Sequence, residues 1–301
     1  MVQDDEILTA TAAQNRVKAW LSLCKDEQRA QAISHIDKHL VCADSSRPDN
    51  CIVIFNHVPK TGGETLEKVF AANERVNETL HINRPVLLKN PAVITKLGRV
   101  PGVIMGHHPL NSPLYGFVDR PLIHLTMIRD PVARVWSWLR YVKARTDHKM
   151  HAEVRDTELA DLLQRPDISE LHNAMTKRLC GCLQEQSNLS DEALVDLAFS
   201  NLTERFSLFG LTEHFDRSLL MFSSALGWSH PYYKPLNVTP NQATRDDPSQ
   251  LLATIEANNR LDCELYARAR ELFLSRSKSY AGSALRRYRI RNKLWALLAM
   301  D

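Results

Sequence analysis

Residues 51–55 read Cys51-Ile-Val-Ile-Phe55, and after Asn56 the chain continues His57-Val-Pro-Lys-Thr-Gly-Gly63. The first stretch is short, apolar and β-branched, the form of a parallel strand buried on both faces. The second holds a proline and two adjacent glycines, which end the strand and turn the chain. Glu64 to Asn73 then reads as a helix. In a strand–turn–helix of this kind, backbone N–H groups of the turn and of the helix N-terminus form a phosphate cradle. Gly62 and Gly63 let that backbone approach a ligand with no Cβ in the way. Lys60 brings a positive charge, and Thr61 and Thr65 bring hydroxyl groups. The order is not that of a Walker A loop, which places its Lys and Ser/Thr after the last glycine to serve phosphates and Mg²⁺. Here Lys60 precedes both glycines, which disfavours a magnesium–ATP reading. Taken alone, the turn is equally compatible with an ordinary surface loop.

Working outward, two more short strands are expected, Gly102 to Met105 and Leu122 to Ile128. The second runs into Arg129-Asp130-Pro131. Asp130 suits an N-cap and Pro131 the first helical position, so a helix is predicted from there to about Lys143. Arg129 stands at the carboxyl end of a strand, where open α/β sheets bind ligands. Ser137 lies two turns into the helix, and Arg134 shares its face at i, i+3. An arginine fork and a serine here suit a second phosphate, separate from the first. The competing reading is an Arg129 paired with a local acid and a Ser137 that merely packs. Gly106-His107-His108-Pro109 follows the other strand at the same kind of edge. A histidine titrates near neutrality and suits general-base work; the alternative is a strand cap or a backbone hydrogen bond. His57 reads as structural.

Further on, Glu153 to Asn201 looks mostly helical, Phe206 to Phe209 suggests a strand, and Phe215 to Leu226 a helix. Pro231 to Pro248 reads as loop and Asn259 to Leu274 as a core helix. The N-terminal stretch from Asp4 to about Leu40 has amphipathic helical spacing. Strands alternating with helices give an α/β fold with a central parallel sheet flanked by helices. The expected organisation is a helical extension over 1–45, the main domain over 46–275 and a basic helix over 276–301.

Composition sets the outer limits. A hydrophobic share of 44% allows a normal buried core in 301 residues. A net charge of +3 gives no argument for a nucleic-acid partner. No window reaches the roughly 18 apolar residues of a membrane span, and the first twenty residues lack a signal-peptide pattern, so a cytoplasmic location is expected. The cysteines Cys24, Cys42, Cys51, Cys180, Cys182 and Cys263 are scattered and are expected to be reduced thiols. Cys180 and Cys182 lack a second pair at zinc-ligand spacing, so no metal is expected. Arg276 to Lys293 holds seven basic residues and no acid. This segment suits either a solvated helix packed by one face or contact with an anionic membrane or acidic acceptor.

The segment His57 to Gly63 resembles the 5′-phosphosulfate loop of sulfotransferases that use 3′-phosphoadenosine 5′-phosphosulfate (PAPS). Met127-Ile-Arg-Asp-Pro-Val-Ala-Arg-Val-Trp-Ser-Trp138 resembles their 3′-phosphate segment, with Arg-Asp-Pro and the later serine in register. The branch it is most similar to holds the uronyl and heparan 2-O-sulfotransferases and bacterial relatives. Asn173 to Gly181, Leu236 to Thr239 and Leu261 to Tyr266 are weaker echoes of that branch. The resemblance spans about Cys51 to Phe273. It implies a P-loop-like three-layer α/β fold and PAPS as co-substrate without a metal. It further implies a 5′ site of Lys60, Thr61, Gly62, Gly63 and Thr65, and a 3′ site of Arg129 and Ser137. The Gly-His after the strand implies His107 as base, and a second histidine that the branch carries two positions earlier is Met105 here. His108 is the substitute candidate. Glu64 stands where a small hydroxyl residue is common and is expected to face solvent.

The expected activity is in-line sulfuryl transfer to a hydroxyl on a saccharide, a glycolipid or a small molecule. The acceptor pocket is expected along Leu110 to Gly116 and Met150 to Asn173. Two other classes remain: a kinase or NTPase, which needs magnesium and a strand-end acid, and a non-catalytic nucleotide-binding module.

Overall fold

The computed structural model describes residues 26–42, 45–74, 79–81, 102–108, 110, 115, 118–181, 189–234 and 248–298. Five parallel strands form one sheet: β1 (Ile52–Asn56), β2 (Thr79–His81), β3 (Val103–Gly106), β4 (Leu122–Ile128) and β5 (Leu208–Leu211), in the order β2-β3-β1-β4-β5. β1 lies at the centre, with Asn56 opposite Gly106 on one side and Thr126 on the other. Every residue of β1, β3, β4 and β5 is buried. A parallel sheet buried on both faces needs helices on both, and the expected α/β class with a helix-flanked parallel sheet holds.

The helices in chain order are α1 (Asp26–His39), α2 (Gly63–Asn73), α3 (Pro131–Ala144), α4 (His151–Asp156), α5 (Leu159–Leu163), α6 (Ala174–Leu179), α7 (Asp191–Glu204), α8 (Phe215–Leu226), α9 (Pro248–Asn258), α10 (Arg260–Arg276) and α11 (Ser283–Leu298). The main core gathers the strands with Leu66, Val69 and Phe70 of α2, Leu219 and Phe222 of α8, and Leu265 and Phe273 of α10. A second core joins Val135, Trp138 and Leu139 of α3 to Val154, Leu162 and Ile255. Each fully buried aliphatic or aromatic side chain contributes about 1.5–3 kcal/mol relative to exposure.

The junction β4–α3 forms as its residues dictate. Asp130 Oδ1 accepts from the Ala133 N–H at 2.8 Å, and Pro131 opens the helix. Strand β4 and helix α8 keep their predicted bounds, whereas β5 begins at Leu208 rather than Phe206. Phe206 instead stacks on the His124 ring, with centroids 4.0 Å apart. The start of the expected N-terminal helix, the centre of the Pro231–Pro248 loop, the Leu236–Thr239 echo, and Cys24 and Cys182 lie outside the described residues.

The consequence for function is positional. Because all strands run one way, the loops after β1, β3, β4 and β5 leave from one edge of the sheet. β1 continues to β2 and β3 on one side, and the chain then crosses to β4 on the other. The crevice between β1 and β4 is therefore the place where such sheets receive ligands.

Candidate active site

The loop after β1 is held by its own backbone. Thr61 is buried, and its hydroxyl donates to the Val58 carbonyl at 2.7 Å. Lys60 adopts φ 69° and Gly62 φ 88°, both left-handed. At Gly62 this conformation is natural; at Lys60 it costs of order 1 kcal/mol. Gly63 is sterically required, because a Cβ there would come within 1.9 Å of His57 Nε2. His57 is thus a wall of the turn, buried and stacked on Phe55. Helix α2 starts at Gly63 with no side-chain cap. Its first N–H groups carry the positive end of the helix dipole and suit an anion. Glu64 faces solvent as expected, and Thr65 is buried beneath the first turn.

The Lys60 ammonium lies 3.7 Å from the centroid of the Tyr141 ring. Burial holds its pKa below the usual lysine value; Glu64 opposes that shift and Arg129 and Arg145 reinforce it. Tyr141 and Ser137 are four residues apart on α3, so they share a helix face. Lys60 therefore reaches across to the face that carries Ser137.

Arg129 ties the two sides of the crevice together. Its Nη1 donates to the Lys60 carbonyl at 3.0 Å, and its Nε lies 3.9 Å from Glu213 Oε1 with no hydrogen bond of its own among the described residues. Burial lowers the Arg129 pKa and Glu213 opposes the shift; the group stays charged at any ordinary pH. Glu213 is fixed by the Tyr266 hydroxyl at 2.8 Å and the Asp130 N–H at 3.1 Å. Beside it, the Thr212 hydroxyl is within 2.8 Å of the Thr61 carbonyl and 3.1 Å of the Ile128 carbonyl. Thr212 and Glu213 escaped the sequence reading, although residues just past a parallel strand's end belong to this edge. The expected strand Phe206–Phe209 ends two residues before the observed end of β5 at Leu211, which hides them.

Arg134 corrects an expectation. It does not join Ser137 in facing a ligand, because it is fully buried and its guanidinium is spent on Glu170. Nη1 meets the Glu170 carboxylate at 3.0 Å and Nη2 its backbone carbonyl. Arg178 pairs with the other oxygen of the same carboxylate. Burial pushes the Glu170 pKa up, but the two guanidiniums outweigh it and hold the group ionised. The result is an Arg134–Glu170–Arg178 triad, buried at Arg134, that joins α3, the turn Ser169–Leu171 and α6. Glu170 acts electrostatically on both Lys60 and His107.

The two histidines after β3 diverge. His107 Nδ1 lies 2.7 Å from the His57 carbonyl. A carbonyl only accepts, so Nδ1 carries the proton and Nε2 keeps its lone pair. His107 is exposed at this edge, with the His57 ring centroid 4.5 Å away. Burial, then the charges of His57 and Arg178, push the His107 pKa down to about 4, against the opposing effect of the hydrogen bond. His108 is buried and turns inward. Its Nδ1 lies 3.3 Å from the Tyr115 hydroxyl, which lies 2.8 Å from His124 Nε2, and His124 Nδ1 reaches the Arg205 carbonyl. Burial pushes both inner rings down to about 3. His108 thus belongs to a polar chain inside the core rather than to the crevice.

Comparison with known proteins places the chain in a family. Residues 27–294 match the family described as galactose-3-O-sulfotransferase. Heparan sulfate 2-O-sulfotransferase 1 of Mus musculus is 24% identical over 235 residues, which cover 71% of this chain and 65% of that protein. The proteins of the same name from Cricetulus griseus (24% identical) and Gallus gallus (23%) align over 59% of this chain and 55% of their own length. The chain thus spans 55–65% of the length of these relatives. They come from the branch whose motifs the sequence resembles. With the match running through nearly all of the described fold, the chain belongs to the galactose-3-O-sulfotransferase family.

Proposed function

We propose that this protein transfers a sulfuryl group from PAPS to a hydroxyl of a carbohydrate. The observation that carries the reading is the convergence of three unlike groups on one sheet edge. These are the uncapped start of α2 with Lys60, the half-buried Arg129 hydrogen-bonded to that same loop, and His107 with Nε2 unprotonated. The residues fit a nucleotide phosphorylated at two positions. The α2 N–H groups, Lys60, Thr61, Gly62, Gly63 and Thr65 take the 5′ side, and Arg129 and Ser137 take the 3′-phosphate. The family match and the heparan sulfate enzymes among its relatives support a saccharide acceptor.

The donor, when bound, supplies an activated S–O bond, which breaks as the acceptor oxygen bonds to sulfur. His107 Nε2 accepts the hydroxyl proton, and Nδ1 stays bound to the His57 carbonyl, which holds the ring in orientation. Lys60 leaves the Tyr141 face to offset charge on the phosphate oxygen released. Arg129 and the α2 amides hold charge already present, so positioning and electrostatics dominate, as in phosphoryl transfer. His107 is neutral at pH 7 and ready to accept a proton. An anionic donor beside it raises its pKa toward a more effective value. His108, buried on the far side of its loop, takes no part in this transfer.

Calorimetric titration tests the donor half. Adenosine 3′,5′-bisphosphate should bind at least about tenfold more tightly than ATP·Mg. Preference for ATP·Mg would overturn the reading in favour of a kinase or NTPase.

A further inference from the structure

Helix α11 has two opposite faces that differ in kind. The inner face carries Tyr288, Asn292 and Trp295 at i, i+4, i+7 spacing. The Tyr288 hydroxyl donates to the Pro231 carbonyl at 2.6 Å, Asn292 Oδ1 accepts from the Tyr233 N–H at 2.8 Å, and Trp295 stacks on Tyr232. Arg289 adds an ion pair to Asp216 on the flank. These contacts fix the helix against the domain.

The outer face repeats the spacing with Ile290, Leu294 and Leu297, joined by Leu298. Their exposures are 54%, 54%, 67% and 83%. At about 100° per residue Ile290, Leu294 and Leu297 form one stripe opposite the docked face, and Leu298 extends it toward one flank. Single exposed leucines are ordinary, but a contiguous stripe is not. Cations border it: Arg286 and Lys293 on one side, Arg287 and Arg291 on the other. From Arg276 to Met300 the sequence has no acid. A shallow groove of about 330 Å³, lined by Gly282, Leu285, Arg286, Arg289, Ile290 and Lys293, runs along the first of these borders.

We propose that the outer face of α11 docks the protein on an anionic lipid bilayer, lying in the interface plane. The chemistry selects this partner. A soluble polyanion would use the cations and leave the four apolar side chains in water. A neutral apolar partner would use the stripe and leave the cations unpaired. A negatively charged bilayer takes both, apolar side chains at the acyl boundary and cations among the headgroups. The groove brings Arg286, Arg289 and Lys293 together along one border of the stripe. No described helix is long and apolar enough to cross a membrane.

The test is co-sedimentation of the full chain with vesicles of phosphatidylcholine alone and of phosphatidylcholine with phosphatidylserine. Each basic residue near an anionic leaflet strengthens binding about fivefold. The mixed vesicles should therefore bind at least about a hundredfold more tightly, with the difference shrinking as salt rises. Combining Ile290→Ser, Leu294→Ser and Leu297→Ser should weaken that binding about tenfold or more. Adenosine 3′,5′-bisphosphate affinity should stay unchanged, which shows the fold intact. Independently, Arg287→Gln with Arg291→Gln should weaken it and leave the stripe in place. Equal binding to both vesicle types, no binding to either, or full binding by the triple serine variant would each overturn the proposal. So would capture of a soluble sulfated polysaccharide without vesicle binding.

Discussion

The junctions β1–α2 and β4–α3 leave the same edge of one sheet, yet they treat the start of their helices in opposite ways. Helix α2 begins after Gly62, in a left-handed conformation, with no side chain on its first N–H groups. Helix α3 begins with Asp130 accepting the Ala133 N–H and Pro131 removing another donor. The first junction offers backbone to an anion. The second has used its backbone internally and offers a side chain, Arg129. The cost of each choice is visible. The open junction needs Gly63, which leaves room for His57, and a left-handed Lys60. The closed one needs Glu213 and the Lys60 carbonyl to hold a long guanidinium in place. One site is therefore specified by the path of the chain and the other by the identity of one residue.

Substitutions can break that contrast, and the largest effect is expected at the chemistry between the two junctions. His107→Ala should lower kcat by at least about a hundredfold and leave adenosine 3′,5′-bisphosphate binding intact. Unchanged turnover would place the base elsewhere. The same residue sets the pH dependence. Protonation of His107 is disfavoured down to about pH 4, so its activity is present above that value and lost as pH falls through it. Between pH 7.5 and pH 5.5 kcat/KM should stay within about twofold; half-loss near the ordinary histidine value, about 6.5, would contradict the packing described.

Next in size is Arg129→Ala. Removing the charged partner of a phosphate that covers it on binding typically costs about 2–5 kcal/mol, so affinity for adenosine 3′,5′-bisphosphate should fall at least about thirtyfold. Adenosine 5′-monophosphate, which lacks the 3′ group, should lose far less. Equal losses would mean that Arg129 acts through the Lys60 carbonyl alone, and the two junctions would then be one site. Smallest is Asp130→Ala, which removes a cap and should cost about 1 kcal/mol of stability, read as a lower denaturation midpoint. Nucleotide affinity should not change, because this helix start is not offered to the ligand. A concurrent loss of affinity would erase the contrast.

The same contrast explains what the sequence made legible. The glycine turn, the β4 strand and the Asp130-Pro131 cap are local, and each carries its own chemical signature. Lys60, the glycines, Arg129 and His107 fall on the edge expected of them because they sit just past a strand end. Features set by distant contacts could not. Arg134 looks like a ligand from its spacing, but Glu170, 36 residues away, takes it. His108 and His107 are neighbours in the chain, and only the Tyr115–His124 chain in the core separates their roles. Strand β2, three residues at the sheet edge, is too short to show a period. Helix α9 does not stand out beside a proline-rich loop, since its buried side chains Leu251 and Ile255 pack on the second core rather than on the sheet. The exposed stripe of α11 became visible only once its inner face was docked.

The central claim is sulfuryl transfer, and radiolabelled transfer measures it directly. The chain would be incubated with ³⁵S-labelled PAPS and a panel of oligosaccharides, with Lys60→Ala and His107→Ala as controls. Label should appear on at least one saccharide with the natural sequence and be lost with either variant. Label transferred equally by the variants, or adenosine 3′,5′-bisphosphate binding with no transfer to any acceptor, would contradict the account and leave a nucleotide-binding module in its place.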